Sequence, residues 1–317
     1  MKELSSYTDL RAIYTDTLID IAKEDTRLLV LEADLMSATG TKPFLEAFPS
    51  RLINVGVAEA NMVGIASGLS SQGFIPFVNT FGCFATRRAY DQFFLSANYA
   101  KQNVKLVGTD PGVTATYNGG THMPFTDTAL TRVIPDLVVV EPCDGLSLHH
   151  ILKLLYTHQG SSYLRLQRKG NATVHAPDQK FELGKGIVVK DGSDVTLVAT
   201  GVLMMQQALE AQRLLAKMNI SAAVIDMHTV KPLDKDLVLS YAKKTGALVT
   251  CENAQMIGGM GSGVAEFLSE TYPAVVRRVG VKDLFGEVGP LDYLINRFEL
   301  TPKRIVDEAL VALALKK

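Results

Sequence analysis

The sequence predicts an α/β fold made of two doubly wound domains, the first of them built on a parallel sheet. Short apolar segments rich in Val, Ile and Leu alternate with segments of helical periodicity along nearly the whole chain. This alternation is typical of parallel strands that are covered by helices on both faces. A polar stretch without periodicity separates two such series. We therefore predict a first domain at 1–168, a linker at 169–185 and a second domain at 186–317.

The first series begins with a predicted helix at Thr8–Asp25, where apolar residues recur every three or four positions. A second helix, rich in small residues, begins at Glu59 and is closed by Gly73, a residue type common just after helices. The predicted strands are RLLVLEADL, RLINVG, FIPFVNTF, VKLVGTD, DLVVVEPCD and SSYLRLQR, and the remaining helices are ATRRAYDQFFLSANYAKQ and LSLHHILKLLYTH.

The second series repeats the alternation after the linker. Its predicted strands are DVTLVATG, ISAAVIDMHTV, ALVTCEN and AVVRRVGV, and its predicted helices are LMMQQALEAQRLLAKM, DKDLVLSYAKKT, GSGVAEFLSETY and PKRIVDEALVALALKK.

Composition excludes several classes of protein. The chain has 317 residues, of which 47% are hydrophobic, enough for two apolar cores. The net charge is −1, with basic residues spread along the chain, which argues against a nucleic-acid surface. No apolar run reaches the ~18 residues of a membrane span, and the first residues lack an apolar signal core. We therefore expect a cytoplasmic protein without a membrane anchor. Cys83, Cys143 and Cys251 show neither disulfide nor metal-ligand spacing.

Polar residues cluster where predicted strands end. These ends are Glu32–Asp34, Asn79–Phe84 and Thr109–His122, and Glu59 begins the helix that follows a fourth strand. Ligands of open α/β sheets bind beyond the carboxyl ends of the strands. This convergence predicts a functional site there.

The longest loop, GTDPGVTATYNGGTHMPFTD, carries His122 after two glycines. Loops longer than ~12–15 residues inside a compact domain are usually functional or disordered. The alternative interpretation is a surface loop with an incidental histidine, and the sequence leaves both open.

The order and spacing of several motifs together resemble the transketolase family over almost the whole chain. More narrowly, the chain resembles the C-terminal subunit of a split transketolase, with a pyrimidine-binding domain followed by a transketolase C-terminal domain. The resemblance rests on LEADL, NVGVAEANMVGIASGL, NTFGCFATRRAYDQ, GGTHMP, LRLQR, MHTVKPLD and ENAQMIGGMG.

This resemblance implies thiamine diphosphate and Mg²⁺ as cofactors, and transfer of a two-carbon glycolaldehyde unit from a ketose or its phosphate to an aldose or its phosphate. The family's diphosphate motif begins G-D-G, which is missing from this sequence. The resemblance therefore implies a separate N-terminal subunit that holds the diphosphate and Mg²⁺, and an α2β2 assembly.

The resemblance also implies roles for residues of the reacting centre. Glu59 would hydrogen-bond N1′ of the aminopyrimidine, because a carboxyl in an apolar site has a raised pKa and can stay protonated. His122 would stabilise the substrate oxyanion or move a proton. Phe84, with Phe81 beside it, would stack on the pyrimidine. The alternatives are a favourable helix-start charge for Glu59 and core packing for the two phenylalanines.

Two further residues would lie near the cofactor. Asp34 matches a family aspartate, with a turn or helix cap as its alternative. Arg87 stands where transketolases usually carry an aromatic residue, and where the related deoxyxylulose phosphate enzymes carry Arg.

The resemblance also implies which residues bind the substrate. Two arginines match the family pattern and two other residues depart from it. Arg11 and Arg168 match the pair that binds a sugar phosphate, a task suited to bidentate guanidinium donors; solvation at the surface is the alternative. Asn118 replaces an aspartate that contacts a substrate hydroxyl. Asp110 replaces a phosphate-contacting histidine, and an acid repels a phosphate. An unusual ketose, or one with a different terminal group, fits these departures.

Two rival hypotheses remain. A β-type subunit of a 2-oxo acid dehydrogenase E1 has the same layout, but the GGTHMP loop and the two arginines favour transketolase. A catalytically silent regulatory partner or scaffold is the second rival, and the presence of Glu59, Phe84 and His122 argues against it.

Overall fold

A computed structural model of the protein describes residues 9–170 and 173–316. The predicted start of the first helix at Thr8 lies outside these residues. Two sheets, of seven and five strands, form two α/β units and confirm the predicted fold class. In chain order, the strands of the described residues are β1 (Leu28–Glu32), β2 (Leu52–Asn54), β3 (Ile75–Phe81), β4 (Lys105–Thr109), β5 (Val138–Val140), β6 (Ser162–Leu166), β7 (Ile187–Lys190), β8 (Val195–Ala199), β9 (Ala222–Asp226), β10 (Thr229–Lys231), β11 (Ala247–Gln255) and β12 (Val275–Val281).

Helices cover both faces of each sheet. The α-helices are α1 (Leu10–Glu24), α2 (Met36–Thr39), α3 (Lys42–Ala47), α4 (Glu59–Ser71), α5 (Tyr90–Gln92), α6 (Asp127–Arg132), α7 (Gly145–Thr157), α8 (Gly201–Lys217), α9 (Lys235–Thr245), α10 (Met260–Thr271), α11 (Leu291–Arg297) and α12 (Pro302–Leu315). Short 3₁₀-helices occupy Pro49–Arg51, Gly112–Asn118 and Gly120–His122, and wider π-helical turns occupy Phe84–Arg88 and Phe93–Tyr99. Within the described part of the chain, no helix is both long and apolar enough to span a bilayer.

The strand orders are β10-β5-β6-β4-β3-β1-β2 in the first sheet and β12-β11-β8-β9-β7 in the second. Both sheets are parallel except at one edge. Buried side chains of α1 and α7 cover one face of the first sheet. Its other face shares an apolar core with α9, α10 and part of the second sheet, while α8 and α12 cover the opposite face of that sheet. The two units therefore pack through a common core.

The segment predicted as a single strand, ISAAVIDMHTV, is two strands in two different sheets. β9 lies inside the second sheet, whereas β10 pairs antiparallel with β5 of the first. The backbone bonds of the residues between them explain the change of sheet. The Met227 amide donates to Ala199 of β8, and the His228 carbonyl accepts from the Glu141 amide that follows β5. The second half of the chain thus completes an edge of the first sheet.

Two other elements also differ from the sequence prediction. β7 was not predicted; its residues alternate between half-buried and exposed at a sheet edge, where the apolar signal is weak. The helix predicted over ATRRAYDQFFLSANYAKQ is interrupted by the two π-helical turns. Such wide turns are rare and often occur at functional sites.

A buried arginine connects the two sheets. Arg165 of β6 donates from Nε to Asp127 (2.8 Å) and from Nη1 to Glu141 (2.5 Å). Its Nη2 donates to the Asn253 carbonyl on β11 of the second sheet (3.0 Å). Because the guanidinium is buried, it needs these carboxylates to compensate for lost hydration.

The segment predicted as a linker is fastened by a buried polar cluster. Asp144 caps α7 and also accepts hydrogen bonds from the amides of Val174 and His175 (2.9 and 3.0 Å). His175 Nε2 lies 3.0 Å from an Asp226 oxygen, and Cys143 Sγ lies 3.4 Å from both side chains. Ligand atoms of Cys143, Asp144 and His175 lie within 4.8 Å of one another. No local spacing in the sequence reveals this group, because His175 and Asp226 lie far along the chain from the adjacent Cys143 and Asp144.

Candidate active site

Glu59 is buried at the first position of α4, with 1% of its surface exposed. The preceding turn is held by Asn54, whose side-chain oxygen accepts from the Gly56 amide (3.2 Å), and Gly56 has a left-handed φ of 75°. The Arg88 guanidinium donates to both Glu59 oxygens (3.1 and 2.9 Å). The burial expected from the apolar neighbours of Glu59 is therefore confirmed, and a cationic partner is added.

Four side chains form a contiguous row beside Glu59. The Arg88 Cζ lies 4.1 Å from the centre of the Phe84 ring. The His122 ring approaches Phe84 edge-on, with 5.1 Å between ring centres, and lies 5.8 Å from Phe81. Phe81 and Phe84 are 6.1 Å apart. The structure thus brings together three of the predicted residues with Glu59 and Arg88.

The second α/β unit holds the loop that carries His122. Asn253 of β11 accepts from the Val113 amide (3.0 Å) and donates to the Pro111 carbonyl (2.9 Å) at the start of the loop. Near its end, Arg87 Nη2 donates to the Thr121 carbonyl (2.7 Å). The position of His122 therefore depends on both halves of the chain.

A close backbone approach also fixes this loop. A Cβ added at Gly120 would lie 2.1 Å from the Gly286 carbonyl oxygen. The carbonyl oxygen belongs to the backbone, and a Cβ is fixed by the backbone that carries it. Rotating a side chain therefore cannot relieve the clash.

We expect Gly120→Ala to lower the free energy of unfolding by about 1–3 kcal/mol, the usual cost of overpacking. Gly64→Ala is the matched control, because no atom lies within 4 Å of its added Cβ and alanine favours the helix. Thermal unfolding of the two variants should therefore shift in opposite directions. Equal melting temperatures would contradict this account of the loop.

A cavity of about 450 Å³ lies at the other end of the row. Arg11, Asp110 and Arg168 line it, and Arg168 Nε donates to Asp110 Oδ1. The other lining residues are Thr114, Thr116, Tyr117, Gln167, Lys169, Pro290 and Leu291. The Arg168 Cζ lies 6.0 Å from the Phe81 ring centre, so this cavity adjoins the aromatic row.

Sheet register explains why these residues meet. Phe81 is the partner of Thr109, and Thr109 is the partner of Leu166 across β3, β4 and β6. Asp110 follows Thr109 and its amide donates to the Leu166 carbonyl (3.2 Å), two residues before Arg168. The pair therefore lies at the carboxyl edge of adjacent strands, as expected for a ligand site.

Asp110 is a buried carboxylate in a constrained backbone conformation. Its φ is 60°, and its Oδ2 is buried without a hydrogen-bond partner among the described residues. Burial raises the pKa of its carboxyl to about 6, opposed by the charge and hydrogen bond of Arg168. The acid expected to repel a phosphate is thus partly compensated by an arginine.

Arg11 is held from the outer side of the cavity. Its Nε donates to Asp9 (2.9 Å) and its Nη1 to the Ala38 carbonyl (2.9 Å). Asp9 caps α1 through the Arg11 amide (3.0 Å). Helix capping and guanidinium orientation therefore depend on the same carboxylate.

Three predicted residues lie outside the row. Asp34 is exposed and exchanges hydrogen bonds with Asn54 (3.0 and 3.1 Å). Asn118 is exposed on the long loop. Arg87 faces Thr121 and a second cavity rather than the aromatic row.

Arg88 was not predicted from the sequence, and Glu32 was predicted only as part of the polar strand end Glu32–Asp34. Arg88 lies four positions after Phe84, a spacing that places two side chains on the same helical face. Glu32, and not Asp34, is the buried carboxyl at the end of β1; burial raises its pKa to about 7, while hydrogen bonds from Thr41 and Thr39 oppose the shift.

Comparison with known proteins identifies the family of both parts of the chain. The transketolase pyrimidine-binding domain family matches residues 6–172, and the transketolase C-terminal domain family matches residues 184–305. The chain belongs to the transketolase family. The first match contains Glu59 and the aromatic row, and the second contains Asn253 and Gly286, which contact the His122 loop.

Curated relatives of this transketolase chain include separate subunits. It is 49% identical over 300 residues to the 6-deoxy-6-sulfo-D-fructose transketolase subunit SqwH of Clostridium sp. (strain MSTE9), covering 95% of this chain and 93% of the relative. It is 36% identical over 309 residues to a putative transketolase C-terminal section of Methanocaldococcus jannaschii, covering 95% and 96%.

A solved structure is similar over the full length. It is described as a split gene transketolase, inactive beta4 tetramer, and shares 42% identity with a TM-score of 0.91, covering 98% of this chain and 100% of that chain. The transketolase chain therefore resembles the C-terminal subunit of a split transketolase, as its motifs predict.

The residues around Glu59 fit the aminopyrimidine half of thiamine diphosphate. A buried carboxyl can hydrogen-bond a ring nitrogen, and half-buried phenylalanine rings can stack on a planar heterocycle. The buried group of Cys143, Asp144 and His175 does not fit Mg²⁺, because magnesium prefers oxygen ligands to thiol and imidazole. β5, which leads to that group, is separated from β3 by two strands.

Proposed function

We propose that this chain is the C-terminal subunit of a thiamine diphosphate-dependent transketolase. It transfers a two-carbon glycolaldehyde unit from a ketose to an aldose, and it is active only with a separate subunit that holds the diphosphate and Mg²⁺. The observation that carries the proposal is the unbroken row from Glu59 through Phe84, His122 and Phe81 to Arg168. The direct test is ketose turnover by the chain combined with that subunit.

When bound, thiamine diphosphate supplies the carbon nucleophile for the ketose carbonyl. In this proposal, Glu59 hydrogen-bonds the aminopyrimidine, and its burial excludes the water that would compete for that bond. Phe84 and Phe81 provide the stacking surface. Asp34 and Arg87 belong to the surroundings of the cofactor, where Arg87 acts through the Thr121 carbonyl.

His122 is proposed to act on the oxygen of the substrate carbonyl. Its Nδ1 lies 2.9 Å from the Thr121 hydroxyl, and its ring edge faces the two phenylalanines. An imidazole held in this way can donate a hydrogen bond to a developing oxyanion or return a proton to it. Asn118, on the same loop, would contact a substrate hydroxyl.

Arg11 and Arg168 are proposed to bind an anionic group at the far end of the ketose. Their cavity contains hydroxyl and amide side chains as well, a donor set that suits a group with three acceptor oxygens. The Clostridium relative acts on 6-deoxy-6-sulfo-D-fructose according to its name. We therefore propose a sulfonated ketose as the first donor to test, beside ketose phosphates.

The partner subunit is proposed to cover the exposed apolar side chains near Glu59 and His122. Val57, two residues before Glu59, is 72% exposed, and Phe285 is 98% exposed. Phe285 lines a cavity together with Arg87 and Gly120, beside the His122 loop. Exposed apolar side chains that flank a candidate site favour a protein interface. An α2β2 assembly is the proposed form of the complex.

We expect Arg168→Ala to lower kcat/KM for an anionic ketose by about 10–100-fold, since charge-assisted hydrogen bonds contribute ~1.5–3 kcal/mol. A short neutral ketose should lose much less, because it places no anion in the cavity. Steady-state kinetics of the reconstituted enzyme with both donors measure the difference.

The matched control for Arg168→Ala is Arg213→Ala. Arg213 is exposed on α8 and pairs with Glu210 (3.1 Å), so both donors should keep their turnover. Equal losses for the anionic and the neutral donor in Arg168→Ala would contradict the assignment of an anion-binding role.

A further inference from the structure

The anion-binding cavity carries carboxylates as well as cations. Arg11, Arg168 and Lys169 line it, while Asp9 holds Arg11 and Asp110 holds Arg168. Among the described residues, the three cations that line the cavity are therefore accompanied by two carboxylates, of which only Asp110 belongs to the lining. A site that serves only to attract a doubly charged phosphate would not need the inner carboxylate.

The two carboxylates differ in position. The side chain of Asp9 is 34% exposed and lies behind Arg11, outside the residues that line the cavity. The side chain of Asp110 is 2% exposed, lines the cavity and occupies Arg168 Nε. Its second oxygen has no hydrogen-bond partner among the described residues. Only Asp110 therefore lies where a bound anion would meet its charge.

We propose that Asp110 is a specificity-determining residue that makes this cavity select a singly charged terminal group, such as a sulfonate, over a doubly charged phosphate. The inference rests on the proposed role of Arg11 and Arg168 in binding the ketose.

The reason is that hydration and attraction depend differently on the charge of the bound ion. The cost of removing an ion from water rises with the square of its charge, whereas its attraction to a site rises only in proportion to that charge. A negative charge on the cavity wall therefore shifts the preference of the site from a dianion towards a monoanion. A sulfonate carries one negative charge, whereas a phosphate monoester carries nearly two above its second pKa of about 6. Repulsion from Asp110 is correspondingly larger for the phosphate.

Asp110→Asn is a clean test because asparagine tolerates the left-handed backbone conformation better than most residues. It keeps the shape of the side chain and removes one negative charge from the cavity wall. The matched control is Asp9→Asn, which removes a carboxylate from Arg11 behind the wall and keeps a good helix cap. Thermal unfolding is the check that both variants are folded.

The experiment measures binding of propane-1-sulfonate and n-propyl phosphate to the full chain at pH 8 by calorimetry. These probes have similar shapes and differ mainly in charge. Monomethyl propylphosphonate, a singly charged phosphorus compound, separates charge from the choice of sulfur or phosphorus. We expect the wild-type chain to favour both monoanions over the dianion.

In Asp110→Asn, the affinity ratio of phosphate to sulfonate should rise by about tenfold, which corresponds to ~1.4 kcal/mol. The same ratio should stay within about twofold of wild type in Asp9→Asn. An unchanged ratio in Asp110→Asn, an equal rise in Asp9→Asn, or no binding of any probe would overturn the proposal.

These measurements need neither cofactor nor partner subunit. Failure of the reconstituted enzyme to cleave any ketose would refute the proposed function, even if the probes bind as expected. If the reconstituted enzyme turns over ketoses but Asp110→Asn leaves its preference between donors unchanged, the inference is refuted and the proposed function stands.

Discussion

Replacing Glu59 by glutamine should reduce ketose turnover by the complete assembly about 10²–10⁴-fold, the usual contribution of a positioned acid or base. The amide keeps the volume of the side chain, but unlike a carboxyl group it cannot give a proton to a ring nitrogen or take one from it. Because Glu59 is 1% exposed, no water or nearby surface carboxyl can replace it. Single-turnover kinetics of donor cleavage measure the chemical step directly.

The fold should survive this substitution. The Arg88 side chain that loses its ionic partner is 48% exposed and can be hydrated. Circular dichroism and thermal unfolding should therefore resemble those of the wild type. Glu46→Gln, an exposed residue of α3, is the control for loss of one negative charge and should keep full turnover. Unchanged turnover in Glu59→Gln would refute the catalytic role and favour a regulatory or scaffold function.

The purified chain alone should show no ketose turnover, even with thiamine diphosphate and Mg²⁺ present. It carries the proposed pyrimidine-side groups but lacks the G-D-G motif with which the family's diphosphate site begins. Titration with a diphosphate-binding subunit should raise turnover from zero to a plateau at equal numbers of the two subunits. A coupled assay for the released aldose, followed at each subunit ratio, measures this dependence.

An interface variant tests where the partner binds. Phe285→Asp should weaken association at least about tenfold, because exposed aromatic side chains frequently dominate protein interfaces. Met218→Asp, at the end of α8 and 48% exposed, is the control and should associate normally.

Robust turnover by the chain without any partner would contradict the split-enzyme proposal. Decarboxylation of a 2-oxo acid by the reconstituted pair would favour the dehydrogenase alternative.

The alternation of apolar strands and helices was sufficient to predict both α/β units, because a buried parallel strand must be apolar on both faces. Edge strands were harder to predict. β7 only half-buries alternate residues, and β10 was merged with β9 because only two residues separate the two strands. Which sheet a short strand joins depends on packing between distant elements.

The candidate site was likewise only partly predictable from the sequence. Burial of Glu59 was predictable from its apolar neighbours, whereas the length of its loop left the role of His122 open. Arg88 was missed although it follows Phe84 by one helical turn, because nothing in the sequence indicates that this turn faces Glu59. Asp110 was expected only to repel an anion, since its pairing with Arg168 joins residues 58 positions apart.

The sequence by itself determined the two α/β units, the family and most of the residues at the strand ends, because these depend on local periodicity and on short motifs. Only the tertiary structure decided which charges compensate each other. Asp110 and Arg168 meet because β4 and β6 are neighbours in register, an order that the chain reaches only when the sheet is assembled. Electrostatic energy depends on distance in space, so the charge of the substrate site is a property of the fold.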